Sequence, residues 1–274
     1  KLIMKKIIDC ITFFDENMLL DFRLNVLNDY VDFFVIVEAK EDHQGNQKKL
    51  NFNIENYKKY KHKIIYLVQE KIITDNNIKL PKNWAKEHLR DQSQRNYISN
   101  ALTQFSDEDW IIISDLDEIP NPSAISEFNP KNKFSVFKQK LFCYKFNLLS
   151  KNSPWYGSRI VVKKHLKSPQ WLRNLKVKKN FLKYFKRGIN VIDNGGWHFS
   201  YLKKPIDIKK KIESFAHSEL NKEKFKNIEN IEKNILQGAD LYNTDLYYSK
   251  IPIDNDFPKY LIENLNKYKE WIAD

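Results

Sequence analysis

Short apolar runs alternate with longer amphipathic stretches through the first half of the chain. Lys6 to Phe14 (KIIDCITFF), Val31 to Glu38 (VDFFVIVE) and Lys63 to Val68 (KIIYLV) are rich in β-branched and aromatic residues. They are too short for helices, so each predicts a largely buried strand. Between the first two, Asp15-Glu16-Asn17 can cap a helix over Met18 to Asn28, with Leu19, Leu20, Phe22, Leu24 and Leu27 on its apolar side. A second helix is predicted over Asn83 to Phe105, with Trp84, His88, Tyr97, Ile98, Ala101 and Leu102 facing inward. Trp110-Ile111-Ile112-Ile113-Ser114 then reads as a central strand, and Pro120 stops the acidic segment at its end. Strands separated by helices in this order predict an α/β fold, a mostly parallel sheet flanked by helices.

Past Pro122 a short helix precedes two strand-like stretches in Phe134 to Leu148, and Trp155 to Val162 is a further strand. Lys163 to Arg187 is basic and aromatic without clean periodicity. Pro205 onward reads as helical: Ile206 to His217, Asn221 to Gln237, and Pro258 to Ile272. No Gly/Ser-rich linker interrupts the chain. The expectation is one unit over 1–274, divided into 4–120, 121–204 and a helical extension over 205–274.

Composition narrows the function. Across 274 residues, 42% hydrophobic and 14% aromatic content supply a core, so disorder is excluded as the default. Basic residues outnumber acidic ones 47 to 35, a net charge of +12 that implies anionic company. Cys10 and Cys143 fall in strand-like stretches and read as buried thiols in a reducing compartment. No apolar run approaches the roughly 18 residues of a membrane span, and no signal-peptide pattern opens the sequence. Met4 reads as the natural start. A cytoplasmic protein is expected, at most held to the inner face of an anionic membrane by charge.

The chemistry concentrates where the central strand ends, in Ser114-Asp115-Leu116-Asp117-Glu118-Ile119-Pro120. Carboxylates two residues apart project to one side of an extended strand. Two hard oxygen ligands at the carboxyl end of a parallel strand suit Mg²⁺ or Mn²⁺ carrying a diphosphate. A solvated acidic turn is the plain alternative.

Four stretches together resemble glycosyltransferase family 17, whose animal members add the bisecting N-acetylglucosamine to N-glycans. Asp9-Cys10-Ile11-Thr12-Phe13-Phe14-Asp15-Glu16 with Leu19, Leu20 and Arg23 is similar to that family's opening motif. Val35 to Glu38 leads to Gly45 and Lys48; Gln94-Arg95-Asn96 precedes the acidic turn. Gly195-Gly196-Trp197-His198-Phe199-Ser200 is followed by Ser214-Phe215-Ala216-His217-Ser218-Glu219. Asp15 and Ala39 depart from the usual Asn and Ser. The resemblance implies a GT-A, Rossmann-like fold, a nucleotide-sugar donor (UDP-N-acetylglucosamine) and inverting transfer to a glycan or lipid-linked saccharide.

On that reading Asp115 and Asp117 hold Mn²⁺ or Mg²⁺. His198 is a further ligand or else a core histidine beside Trp197; His217 is a second candidate for that ligand or part of a hydrogen-bonded helix face. Arg95, Arg23 and Arg159 would contact diphosphate or form structural salt bridges. Asp9, Phe14, Glu16 and Glu38 fall where a GT-A sheet holds base and ribose, and Trp197 could stack on a sugar. The general base of an inverting reaction is open among Glu118, Glu219 and Asp193. A nucleotidyltransferase with a similar acidic metal site is the competing enzyme reading, although Ile11 to Glu16 has no glycine to cradle phosphates. A basic nucleic-acid binder is the non-enzyme reading, and nucleic acid is not expected because no helix-turn-helix, zinc-finger or RNP signature is present.

Overall fold

The computed structural model describes residues 5–72, 86–151, 153–177, 189–214, 222–242 and 246–274. The expected α/β class is observed. Strands β1 (Ile7–Phe13), β2 (Phe33–Ala39), β3 (Ile64–Gln69) and β4 (Trp110–Ser114) form a wholly parallel ladder in the order β4-β1-β2-β3. Their apolar makeup follows from cover on both faces. On one face, Ile11, Phe13, Phe34, Ile36 and Ile112 pack with Leu20, Phe22, Leu24 and Leu27 of helix α1 (Asn17–Leu27). On the other, Ile8, Cys10, Val35, Val37, Ile111 and Ile113 meet Ile98, Ala101 and Leu102. Those three belong to the junction and second part of a broken helix, α2 (Lys86–Tyr97) and α3 (Ser99–Leu102). The expected cap of α1 is corrected: Glu16 makes no side-chain cap bond, and its carboxylate accepts from Asp15 N at 3.1 Å.

Beyond β4 the sheet becomes mixed. After β5 (Glu118–Pro120) and α4 (Pro122–Ser126), β6 (Phe134–Cys143) and β7 (Leu148–Ser150) lead to β8 (Trp155–Val162), which runs antiparallel between β4 and β6. Helix α5 (Pro169–Asn174) starts cleanly, because the Ser168 hydroxyl accepts from Trp171 N at 3.1 Å and Pro169 occupies the first turn. Strands β9 (Asn190–Ile192) and β10 (Gly196–Ser200) lie parallel beside β6. β10 also pairs antiparallel with β5, which sets His198 opposite Glu118.

The expected helical extension over 205–274 is corrected in three places. Helix α6 (Pro205–Ser214) forms, the single helix expected over Asn221 to Gln237 divides at the extended Asn227 into α7 (Glu223–Lys226) and α8 (Ile228–Gln237), and Ile208, Ile212 and Ile231 close a small core with Tyr144 and Leu241. Tyr248–Lys250, however, is strand β11, which extends the sheet by pairing with β7. The predicted helix over Pro258 to Ile272 is broken into α9 (Lys259–Glu263) and a 3-10 turn at Lys269–Trp271. At the break, the Asn264 side-chain amide donates to Tyr260 O at 2.8 Å, competing with helical bonding. Phe257, Leu261 and Tyr268 nevertheless sit in the main core, with Tyr268 5.3 Å from the Phe22 ring. Among the described residues no helix is long and apolar enough to cross a membrane, and both cysteines are free and buried.

One buried ion pair ties these layers together. Arg23 on α1 donates through Nε and Nη2 to the Asp9 carboxylate on β1 at 2.7 and 2.6 Å, and neither side chain is exposed. Its Nη1 donates to Glu118 O at 2.6 Å and Leu116 O at 3.2 Å. Truncating one partner strands a buried charge, so Arg23→Ala should cost about 3–5 kcal/mol. Urea unfolding followed by circular dichroism measures this, and a loss below about 1 kcal/mol would contradict a central role for the pair.

Candidate functional site

A cleft of about 570 Å³ opens at the carboxyl ends of β1 and β4. Ligands of open α/β sheets bind at this end. Its floor is the acidic motif, which does not stay extended: β4 stops at Ser114, and Glu118 N donates to Asp115 O at 3.0 Å across a tight turn. Asp115 and Asp117 both line the cleft, while Glu118 turns beneath them and is fully buried.

Asp115 is held on both oxygens. Arg95 Nη2 donates to Oδ1 at 3.0 Å, and Arg173 Nη2 donates to Oδ2 at 2.9 Å. Arg95 is itself braced by Asp91 at 2.9 and 3.0 Å and by Gln170. Arg173 also donates to both oxygens of Glu118, at 2.7 and 2.9 Å, while Trp155 Nε1 donates to Glu118 Oε1 at 2.8 Å. Burial raises the Asp115 pKa, but Arg173 and Arg95 outweigh it and pull the value down to about 2.

Asp117 has different company. His198 Nε2 lies 3.5 Å from its Oδ1, and Lys211 Nζ on α6 lies 3.6 Å from its Oδ2. Burial opposes its ionisation, yet His198 and Lys211 hold its pKa well below the ordinary carboxylate range. The His198 ring sits 4.8 Å from the half-exposed Trp155, and its buried Nδ1 has no hydrogen-bond partner. Burial lowers the His198 pKa, but Asp117 more than compensates and raises it above the usual imidazole value. Lys203 pairs with Asp15 and stands 3.4 Å from Glu16; burial raises the Glu16 pKa, and Lys203 and Lys211 then bring it below normal.

The donor chemistry fits a divalent ion in one arrangement. Asp117 and His198 offer an oxygen and a nitrogen to the same point of the cleft. Each Asp115 oxygen already accepts from an arginine, whose positive charge opposes a cation at that side of the turn. No group of three or more His, Cys, Asp or Glu side chains among the described residues could hold an ion. A metal would therefore complete its shell with oxygens of its ligand or with water.

Several expected site residues lie elsewhere. Arg23 and Asp9 bond each other under the turn and do not line the cleft. Glu38 is buried and binds Lys48 Nζ, Tyr66 Oη and the Asn51 and Phe52 amides, so it anchors a loop. Arg159 donates to the Gly157 and Leu175 carbonyls behind the site. Trp197 donates to Asp256 O at 2.9 Å and faces, with the exposed Asp193, a separate polar groove of about 930 Å³. Glu118, expected as a base, has both oxygens saturated by Arg173, Trp155 and the Asp115 amide. His217 and Glu219 lie outside the described residues. Phe14, Glu16, Arg95, Asp115, Asp117 and His198 do converge on the cleft. Arg173 and Lys211 join them unforeseen, since nothing in a lysine-rich sequence marks these two from other basic residues.

Fold and cleft define an α/β protein with an arginine-clamped acidic turn as the candidate site at the carboxyl edge of a parallel sheet. The profile of glycosyltransferase family 17 matches residues 1–272. The chain therefore belongs to glycosyltransferase family 17. A search of curated proteins found no match. Among solved structures, the inositol-1-phosphate CTP transferase from T. maritima is similar at 12% identity over 98% of each chain, with a TM-score of 0.32. At that score the likeness carries no argument.

The Arg173 clamp sets a pH dependence. A carboxyl whose folded pKa is depressed adds stability above its unfolded pKa, and that stability is lost as pH falls through the folded value. For Asp115 the window runs from 3.8 down to about 2. Arg173→Ala returns the pKa toward 3.8 and leaves Glu118 buried without its cation. Acid unfolding followed by circular dichroism should therefore begin at higher pH in the variant than in wild type.

Proposed function

We propose that this glycosyltransferase moves a sugar, N-acetylglucosamine, from a UDP-sugar to a saccharide acceptor with inversion at the anomeric carbon. The observation that carries this reading is the pairing of Asp117 with His198 in the cleft, flanked by the Lys211 cation and backed by the Asp115 clamp. Asp117 and His198 would hold Mn²⁺ or Mg²⁺, which when bound supplies positive charge to the departing diphosphate. Lys211 adds fixed charge beside Asp117, and preorganised cations act more strongly in a half-buried cleft than in water. Phe14, at the mouth beside β1, is suited to stack on the nucleotide base. Trp155, half-exposed beside His198, suits the apolar face of a sugar ring.

In the transfer, an acceptor hydroxyl attacks the anomeric carbon from the face opposite the nucleotide. The glycosidic bond to the β-phosphate oxygen breaks, and the hydroxyl proton passes to a base. Asp115 and Glu118 are unsuited to that last role, because cations and hydrogen bonds already saturate them. The acceptor class is a glycan or a lipid-linked saccharide, and net charge of +12 favours an anionic setting.

Titration calorimetry with UDP should show binding that requires Mn²⁺ or Mg²⁺. Asp117→Ala should abolish the metal-dependent component, and His198→Ala should weaken it by about tenfold or more. Incubation with UDP-N-acetylglucosamine and metal should release UDP rather than a sugar phosphate. Metal-independent UDP binding that survives in Asp117→Ala would overturn the assignment.

A further inference from the structure

Arg95 and Arg173 stand locked in the cleft, each by charge-assisted bonds to more than one carboxylate. Lys211 meets its carboxylate at longer range. Its Nζ lies 3.6 Å from Asp117 Oδ2, beyond a close charge-assisted bond, and 5.2 Å from the centre of the Tyr201 ring. Helix packing sets it there. Ile208 and Ile212 of α6 are buried in the small core, and Lys211, one helical turn after Ile208, lies at the border of that face and lines the cleft. Burial works against its charge, but Asp117, followed by Glu16 and Asp15, raises its pKa above the usual lysine value, so it remains an ammonium.

On the transferase reading above, the same Asp117 is a metal ligand, with His198 Nε2 3.5 Å from its other oxygen. A divalent ion and an ammonium that share one carboxylate repel each other, and water screens them poorly in a half-buried cleft. The protein offers the ion little in return. Asp117 and His198 are two donors, the Asp115 oxygens face Arg95 and Arg173, and no group of three His, Cys, Asp or Glu among the described residues could hold an ion. Hard divalent ions take about six ligands, so most of the shell must come from elsewhere. A diphosphate meets both difficulties. Its oxygens complete the shell, and its negative charge gives the Lys211 ammonium a partner beside Asp117. Lysine suits this exchange, because a compact ammonium can turn its donors from one anion to another while its stem keeps its place.

We propose that Lys211 is the resting counter-ion of Asp117, and that it makes the cleft take a divalent cation and a nucleoside diphosphate together rather than the cation first. The proposal rests on the assignment of Asp117 and His198 as metal ligands and adds the order of events. Asp117 stays neutralised by Lys211 until a diphosphate draws the ammonium to itself and frees the carboxylate for the ion.

Electron paramagnetic resonance of free Mn²⁺ measures cation binding without turnover. In the absence of nucleotide, Lys211→Met should bind Mn²⁺ about tenfold more tightly than wild type. Lys211→Arg, which keeps the charge, should bind it no more tightly than wild type. With saturating UDP, set against a protein-free control, the advantage of Lys211→Met should vanish or reverse, because that variant lacks the ammonium that meets the diphosphate. Thermal melts should stay near wild type, since both variants keep the aliphatic stem over Tyr201. Equal Mn²⁺ affinities for wild type and Lys211→Met without nucleotide would overturn the proposal, as would a gain that persists undiminished in UDP. A matching gain in Lys211→Arg would do the same, since charge would not be its cause. Metal-dependent UDP binding in wild type, with no difference in Lys211→Met, removes the counter-ion role alone; Mn²⁺ binding that survives in Asp117→Ala removes the metal assignment and the counter-ion role with it.

Discussion

The Asp9–Arg23 pair is the constraint on which the site depends. Buried ion pairs contribute little net stability, because desolvation offsets most of the attraction. Their value here is geometric. One planar guanidinium bonds a carboxylate on β1 with two of its nitrogens and the backbone of the acidic turn with the third. Lysine has no such fork and could not hold strand, helix and turn in one arrangement. The turn after β4 is thereby fixed from below, and its side chains are left to face the cleft.

Above that base, the three acids of one short motif have separate roles. Glu118, fully buried, is the counter-ion that seats Arg173. Asp115 lies between Arg173 and Arg95 and passes the rigidity of α2 and α5 to the cleft floor. Only Asp117 keeps exchangeable partners, an imidazole and a lysine at 3.5 and 3.6 Å. A turn allows this division; an extended strand would have aligned Asp115 and Asp117 as equivalent neighbours.

Much of the sheet was legible because parallel strands covered on both faces leave continuous apolar runs, as in β1, β2 and β4. The acidic motif was legible for the same reason, since it ends the most apolar of those runs. The arginines were harder. Arg23, Arg95 and Arg159 all carry the right chemistry, and only the tertiary arrangement separates the one lining the cleft from the two beneath and behind it. Arg173 depends on a two-turn helix whose start is written in Ser168-Pro169, a signal that says nothing of where its last turn points. The pairing of Trp197 with His198 as site residues ignored the pleat: neighbours on a strand face opposite sides, so His198 in the cleft puts Trp197 in the groove behind. Asn264, an ordinary helix residue by pattern, ended a helix through its own side-chain bond.

Strand β11 has a consequence for biosynthesis. Among the described residues the open flank of β7 is covered by residues 248–250, and the aromatic cluster around Phe22 takes in Tyr260 and Tyr268. Both gaps persist while the ribosome is still translating the earlier strands. A nascent chain with its parallel ladder already formed would thus carry an unpaired backbone edge and an unfilled aromatic hollow, two features that invite association with other nascent chains.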